Sequence, residues 1–136
     1  MRLRLELLIA VLLLFGLGAG FGQAPSDNEP HTTAQRISQV SKTLAVPAKN
    51  GSVQKLTVTM EDWSIPEDNT EFDLPAGVSA IMTVLNGRVS VVVDGVSKEY
   101  STGNYWSAPA GTHMTISIQA PARGATVRTI IAVPAK

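Results

Sequence analysis

No cysteine occurs among the 136 residues, and only two histidines do, His31 and His113. Without thiols the chain can be neither a disulfide-stapled scaffold nor a protein anchored through a lipid-modified cysteine. With so few imidazoles and no Gly-x-Ser-x-Gly elbow, a serine triad has little support. Charge is scarce as well: 16% of residues are charged, and basic and acidic side chains balance at 11 each. That leaves no electrostatic footprint for nucleic acid. Glycine loops of the Walker or dinucleotide type are also missing, which disfavours nucleotide chemistry.

What is present begins with Arg2 and Arg4, an apolar run from Leu7 to Phe15, and the small residues of Gly16 to Gly22. This is the three-part plan of a secretory signal peptide, expected over residues 1–24. The run falls short of the ~20 residues that span a bilayer, so no permanent membrane span is expected. The product is expected to be exported, periplasmic or extracellular. A polar segment with Pro25, Pro30 and Pro47 follows over residues 25–52 and reads as a linker or arm. Within it Ala34, Ile37, Val40 and Leu44 fall near helical spacing behind Thr32 and Thr33, which predicts a short helix. His31 reads as a solvated residue of this arm.

Beyond residue 52 the pattern changes to period two. Leu56, Val58 and Met60 alternate with Lys55, Thr57 and Thr59, as in a strand with one buried face. Phe72 and Leu74 repeat the pattern ahead of Pro75-Ala76-Gly77. Three strands then follow, Ala80–Leu85, Arg88–Val93 and Val96–Tyr100, separated by Asn86-Gly87 and Asp94-Gly95. Both dipeptides suit type I′ hairpin turns, so a three-stranded meander is expected. Two-residue loops would set Val84 opposite Val89, Met82 opposite Val91, Val93 opposite Val96 and Val89 opposite Tyr100. Lys98 would then share the apolar face opposite Val91, a misfit unless its stem snorkels. Tyr105–Ala108, His113–Gln119 and Ala125–Val133 complete the strands. Many short strands with regular turns and almost no helix argue for one all-β domain, a sandwich or barrel over residues 53–136.

The run Thr83 to Gly95, followed by Gly103 to Met114, resembles the cupin superfamily. Gly103, Pro109 and Gly111 match the spacing of that family's second motif, and Gly87 matches the glycine that closes its first. The resemblance covers roughly the last two-thirds of the chain. It implies a double-stranded β-helix, a jelly-roll barrel of two antiparallel sheets.

In many cupins a metal is held inside the barrel by a histidine pair, a glutamate and a further histidine. Carried onto this chain, the glutamate falls at Ala80, the histidine pair at Leu74 and Ala76 or at Asp73 and Pro75, and the last histidine at Met114. None of these can supply the imidazole and carboxylate donors of such a site. His113 stands one residue early, and successive residues of a strand face opposite ways. Met114, Ile116 and Ile118 therefore share the apolar face, and His113 turns outward. A barrel without a metal or other cofactor is expected.

Six of the 11 acidic residues, Glu61, Asp62, Glu67, Asp68, Glu71 and Asp73, gather around Pro66. Their spacing lacks the pattern of a calcium loop, so this stretch reads as a solvated acidic loop. Among the aromatics, Tyr105 and Trp106 combine contact area with a polar handle, and Met82 and Met114 suit an adaptable apolar pocket or a filled core. These four are the candidate ligand-binding residues. No complete catalytic set is present, so the leading expectation is a module that binds a small molecule or a partner, or that serves a structural role. Edge-strand pairing makes a homodimer an expected form. The rival is a metal-independent isomerase or lyase that uses His113 as acid or base, with Glu71, Asp73 or Tyr105 beside it.

Overall fold

In a computed structural model the described residues are 28–66, 69–119 and 124–136. The segment expected to be a signal peptide lies outside them. They form ten strands: β1 His31–Thr32, β2 Gln35–Pro47, β3 Val53–Ile65, β4 Thr70–Asp73, β5 Ala80–Asn86, β6 Arg88–Val93, β7 Val96–Ser101, β8 Tyr105–Ala108, β9 His113–Ile118 and β10 Ala125–Pro134. One antiparallel sheet has the order β1-β4-β9-β6-β7, and the second has the order β2-β3-β10-β5-β8. No helix among the described residues is long and apolar enough to cross a membrane.

The path of the chain gives the architecture its name. At its centre β6 pairs with β7, around that β5 pairs with β8, then β4 with β9, and outermost β3 with β10. A long hairpin has been rolled up so that its successive strand pairs alternate between two sheets. This is the jelly roll, and it leaves two sheets facing each other across one core.

Period-two patterning explains which side chains fill that core. Phe72 and Met114 are directly paired and fully buried, as are Met82, Val84, Val89, Ile116 and Val127. Trp63 meets Phe72 edge to face with ring centroids 5.5 Å apart. A smaller apolar group, Val58, Met60, Ile81 and Ile130, lies on the opposite face of the second sheet. Strands β3, β5 and β10 thus carry buried apolar residues on both faces.

Two expectations about local structure are corrected. The segment from Ala34 to Leu44 forms no helix; Gln35–Pro47 is an edge strand paired along its length with β3. Its apolar residues satisfy the helical spacing only coincidentally, because a bulge between Arg36 and Ser38 shifts the strand alternation. The arm also packs onto the domain: Pro30 is buried and His31–Thr32 pairs with β4.

Nor is there a three-stranded meander. Asp94-Gly95 is a hairpin turn with both residues at positive φ, 51° and 76°, and the expected register of Val93 to Val96 and Val89 to Tyr100 is present. Asn86-Gly87, in contrast, is the corner at which the chain leaves one sheet for the other. Only Gly87 has positive φ there, and a Cβ on it would stand 2.9 Å from the carbonyl oxygen of Gly124. Val84 and Val89 still belong to one core, but on different sheets. A hairpin and a corner bury the same apolar face, so alternation alone does not distinguish them.

Candidate functional site

The positions at which the cupin resemblance would place metal ligands can be located directly. Leu74, Ala80 and Met114 all belong to the main core cluster, at 4%, 4% and 0% exposure. They converge, but as apolar packing partners with no donor among them. Among the described residues no group of three or more His, Asp or Glu side chains is placed to hold a metal ion. The positions that the resemblance assigns to metal ligands in the core are thus occupied by apolar side chains.

His113 points out of the sheet. Its side chain is 63% exposed and its Nδ1 pairs with Asp73 Oδ1 on the neighbouring strand. Asp73 also lies opposite His31, so the three residues form one cross-strand row on β1, β4 and β9. The hydrogen bond His113 donates to Asp73, with the charges of Asp73 and Glu71, holds the imidazole above its ordinary pKa. This is a surface ion pair, and His113 lines neither of the two clefts described below.

Met82 and Met114 are fully buried in the packed interior and line neither cleft; of the two places the sequence allowed them, they occupy the filled core. Tyr105 lies 60% exposed and also lines neither cleft. Strand alternation separates it from its neighbour, because Trp106 turns inward with Ala108 while Tyr105 and Ser107 are exposed.

Trp106 is the sequence candidate that reaches a cavity. The edge strands β7 and β8 belong to different sheets and leave between them a cleft of about 350 Å³. Val91, Val93, Val96 and Ala108 supply apolar wall, Tyr100 and Trp106 aromatic wall, and Asp94 and Lys98 charge. Tyr100 stacks on Trp106 with centroids 4.4 Å apart and planes 25° from parallel. The indole nitrogen of Trp106 is buried and has no hydrogen-bond partner. An orphaned N–H of this kind costs about 1–3 kcal/mol, against a gain if an acceptor reaches it. Lys98, a misfit by pattern, sits opposite Val91 and lies exposed at this cleft. Its position at a sheet edge is what allows an inward-facing lysine.

A second polar constellation was not legible in the sequence. Glu61, expected in a solvated loop, lies within β3 and is 1% exposed. Arg36 Nη1 donates to Glu61 Oε1 at 3.2 Å and to Glu29 Oε1 at 2.9 Å. Thr129 Oγ1, which accepts the Trp63 indole N–H at 3.1 Å, lies 3.5 Å from Glu61 Oε2. Burial pushes the Glu61 carboxyl above its ordinary range, and the Arg36 hydrogen bond opposes that shift. Asp62, next in sequence, faces the other way and forms a two-point pair with Arg128 at 2.7 and 3.0 Å. The one available clue was strand parity: Glu61 shares its face with Trp63 and Ile65.

No family model matches the chain, and no curated protein does. Its neighbours among solved structures include cupin domains. One is the Cupin_2 domain of an XRE-family transcriptional regulator from Enterobacter cloacae, at 14% identity and TM-score 0.45, covering 71% of this chain and 98% of that one. Another is the cupin domain of Cnp3 from Schizosaccharomyces pombe, at 10% identity and TM-score 0.45, covering 70% and 88%. KdgF from Halomonas sp. is 17% identical with TM-score 0.45, covering 76% and 89%. The jelly-roll assignment rests on the nested strand pairs of this chain and borrows nothing from these likenesses.

Proposed function

We propose that this chain is an exported, metal-independent jelly-roll module that binds a small molecule in the cleft between β7 and β8. The observation that carries the reading is the buried, unpartnered indole N–H of Trp106 in a residue that walls this cleft. The centre of the interior between the sheets is occupied by large apolar side chains, so the space beside Trp106 lies at this edge. The ligand class that fits has a flat or apolar body to lie against Tyr100 and Trp106, and a hydrogen-bond acceptor for the indole. Lys98 and Asp94 line the same cleft, so a ligand with a polar outer end fits, and a carboxylate there would pair with Lys98.

The rival reading, an isomerase or lyase using His113, is less well supported because His113 and Asp73 face solvent. A general acid or base acts on a substrate held beside it, and neither cleft includes that pair. Edge strand β2, with thirteen residues and one side paired to β3, supports the expected homodimer, which a monomeric mass in light scattering would exclude. Export is tested by the N-terminal sequence of the mature protein. A new terminus near residue 24 is expected, and retention of Met1 in the exported fraction would exclude cleavage. Metal independence is tested by elemental analysis of protein purified without chelator.

For the binding site itself, the indole ¹⁵N–H resonances of Trp63 and Trp106 give separate reporters. An aromatic carboxylate series, with benzoate and indole-3-acetate as first probes, is expected to move the Trp106 signal and leave Trp63 in place. Saturable binding that survives Trp106→Ala unchanged would exclude the cleft.

A further inference from the structure

A second cleft, of about 330 Å³, opens on the inner face of the second sheet at its other edge, where β2, β3 and β10 run side by side. It is independent of the Trp106 cleft. Among its lining residues are Glu29, Glu61 and Gln39, whose side chains carry two carboxylates and an amide oxygen as acceptors. Gln39 is 7% exposed, and its Oε1 is buried with no hydrogen-bond partner. The amide orientation is fixed by the other end, because Gln39 Nε2 donates to Glu29 Oε1 at 3.4 Å. Arg36 is shared between the two carboxylates and is not part of the cleft wall. Ser41 and Thr59, hydrogen-bonded to each other at 2.8 Å, continue the polar side. Asn28 and Thr57 add two further polar side chains, Ile131, Val133 and Pro134 form an apolar patch, and Lys136 is exposed.

We propose that this cleft binds a small primary ammonium compound with an aliphatic body, its three N–H donors meeting Gln39 Oε1 and the carboxylates of Glu29 and Glu61. An unpartnered buried acceptor is stabilised only by a donor, and a ligand that brings several donors on one atom uses all three acceptors together. All three bonds are charge-assisted through the ammonium, and two also have a carboxylate acceptor, which makes them stronger than the bonds of a neutral hydroxyl. The aliphatic body matches the apolar patch of Ile131, Val133 and Pro134. A bare metal cation fits less well, because the cleft is far larger than an ion and the side chains of Ile131, Val133 and Pro134 offer it no oxygen.

The test is calorimetry and side-chain amide NMR on the full chain with n-butylammonium, n-butanol and calcium chloride as probes. Saturable binding of n-butylammonium with a shift of the Gln39 side-chain amide is expected, and n-butanol should bind at least about tenfold more weakly. Gln39→Met keeps the size of the side chain and removes the orphaned acceptor, so it should fold and lose about tenfold in affinity. Glu61→Gln should lose at least as much. Lys136→Met should leave binding equal or tighter. Equal binding of n-butanol, undiminished binding in Gln39→Met, or a shift of the Gln39 amide by calcium alone would overturn the proposal. So would the absence of saturable n-butylammonium binding.

Discussion

Glu61 and Trp63 stand two residues apart on β3 and face the same interior, yet their surroundings are opposite. Trp63 is surrounded by Phe72 and the main core, while Glu61 sits among Arg36, Glu29, Gln39 and Thr129. The difference lies in what closes the sandwich. The second sheet is built on two strands of thirteen residues, and β4, β6 and β9 of the first sheet span only four to six. Where the short strands face the long sheet, apolar side chains interlock. The long hairpin runs on past them, and its inner face is finished by the arm through Glu29 and by polar groups that bond to one another. A filled core and a polar cleft are therefore consequences of one mismatch in strand length.

The largest effect should come from the apolar side. Phe72→Ala removes a fully buried ring that contacts Trp63 and should cost about 3–5 kcal/mol in urea unfolding. A loss below about 1 kcal/mol would mean that this interior is not closely packed.

On the polar side, Arg36→Met strands Glu61 without its guanidinium and should cost about 2–3 kcal/mol at neutral pH. The cost should shrink in acid, because Glu61 can take up a proton in place of its partner. In the intact protein the Glu61 carboxyl is raised above 4.5, so the unfolded chain releases this proton first. Its contribution is fully present below 4.5 and is lost as pH rises through the folded value. Glu61→Gln should flatten that part of the stability profile, and a profile unchanged by the substitution would remove Glu61 from the account.

The two glycines of the expected turns give a smaller and sharper contrast. Gly95→Ala meets no atom within 4 Å, so it should cost only the positive-φ penalty of about 1–2 kcal/mol. Gly87→Ala carries the same penalty plus contact with Gly124 and Ala125, and should destabilise by more. Equal losses would contradict the corner. The smallest effect belongs to the surface pair. His113, raised above 6.5 by Asp73, favours folding below 6.5, and this contribution is lost as pH rises through its folded value. His113→Gln should remove that slope from urea midpoints measured across this range.

Much of this could be read in the residues. Alternation placed Phe72, Met114, Ile116 and Val89 inward and His113 outward, and Asp94-Gly95 announced a true hairpin with its register. The rest depended on partners distant in sequence. Asn86-Gly87 has the composition of a hairpin, but whether the chain turns or changes sheets is decided by the approach of Gly124 and Ala125. The arm's apolar spacing could not reveal a strand whose bulge breaks its own alternation. Of the site, Trp106 was legible as an inward-facing aromatic with a polar handle. Its stacking partner Tyr100 and the inward Lys98 follow from the β6–β7 register, whereas the cleft itself comes from two strand edges on different sheets. Glu61 was hidden by its acidic neighbours, since composition is blind to which of two adjacent carboxylates faces inward.

The most direct test of the central claim, that ligands bind at the β7–β8 edge and not within the filled interior, is one NMR titration with paired reporters. Trp106 indole and the methyl groups of Met82 and Met114 can be followed together as benzoate or indole-3-acetate is added. The predicted result is a saturable shift of Trp106 with both methionine methyls unmoved. A ligand that shifts Met82 and Met114 and leaves Trp106 in place would contradict the account.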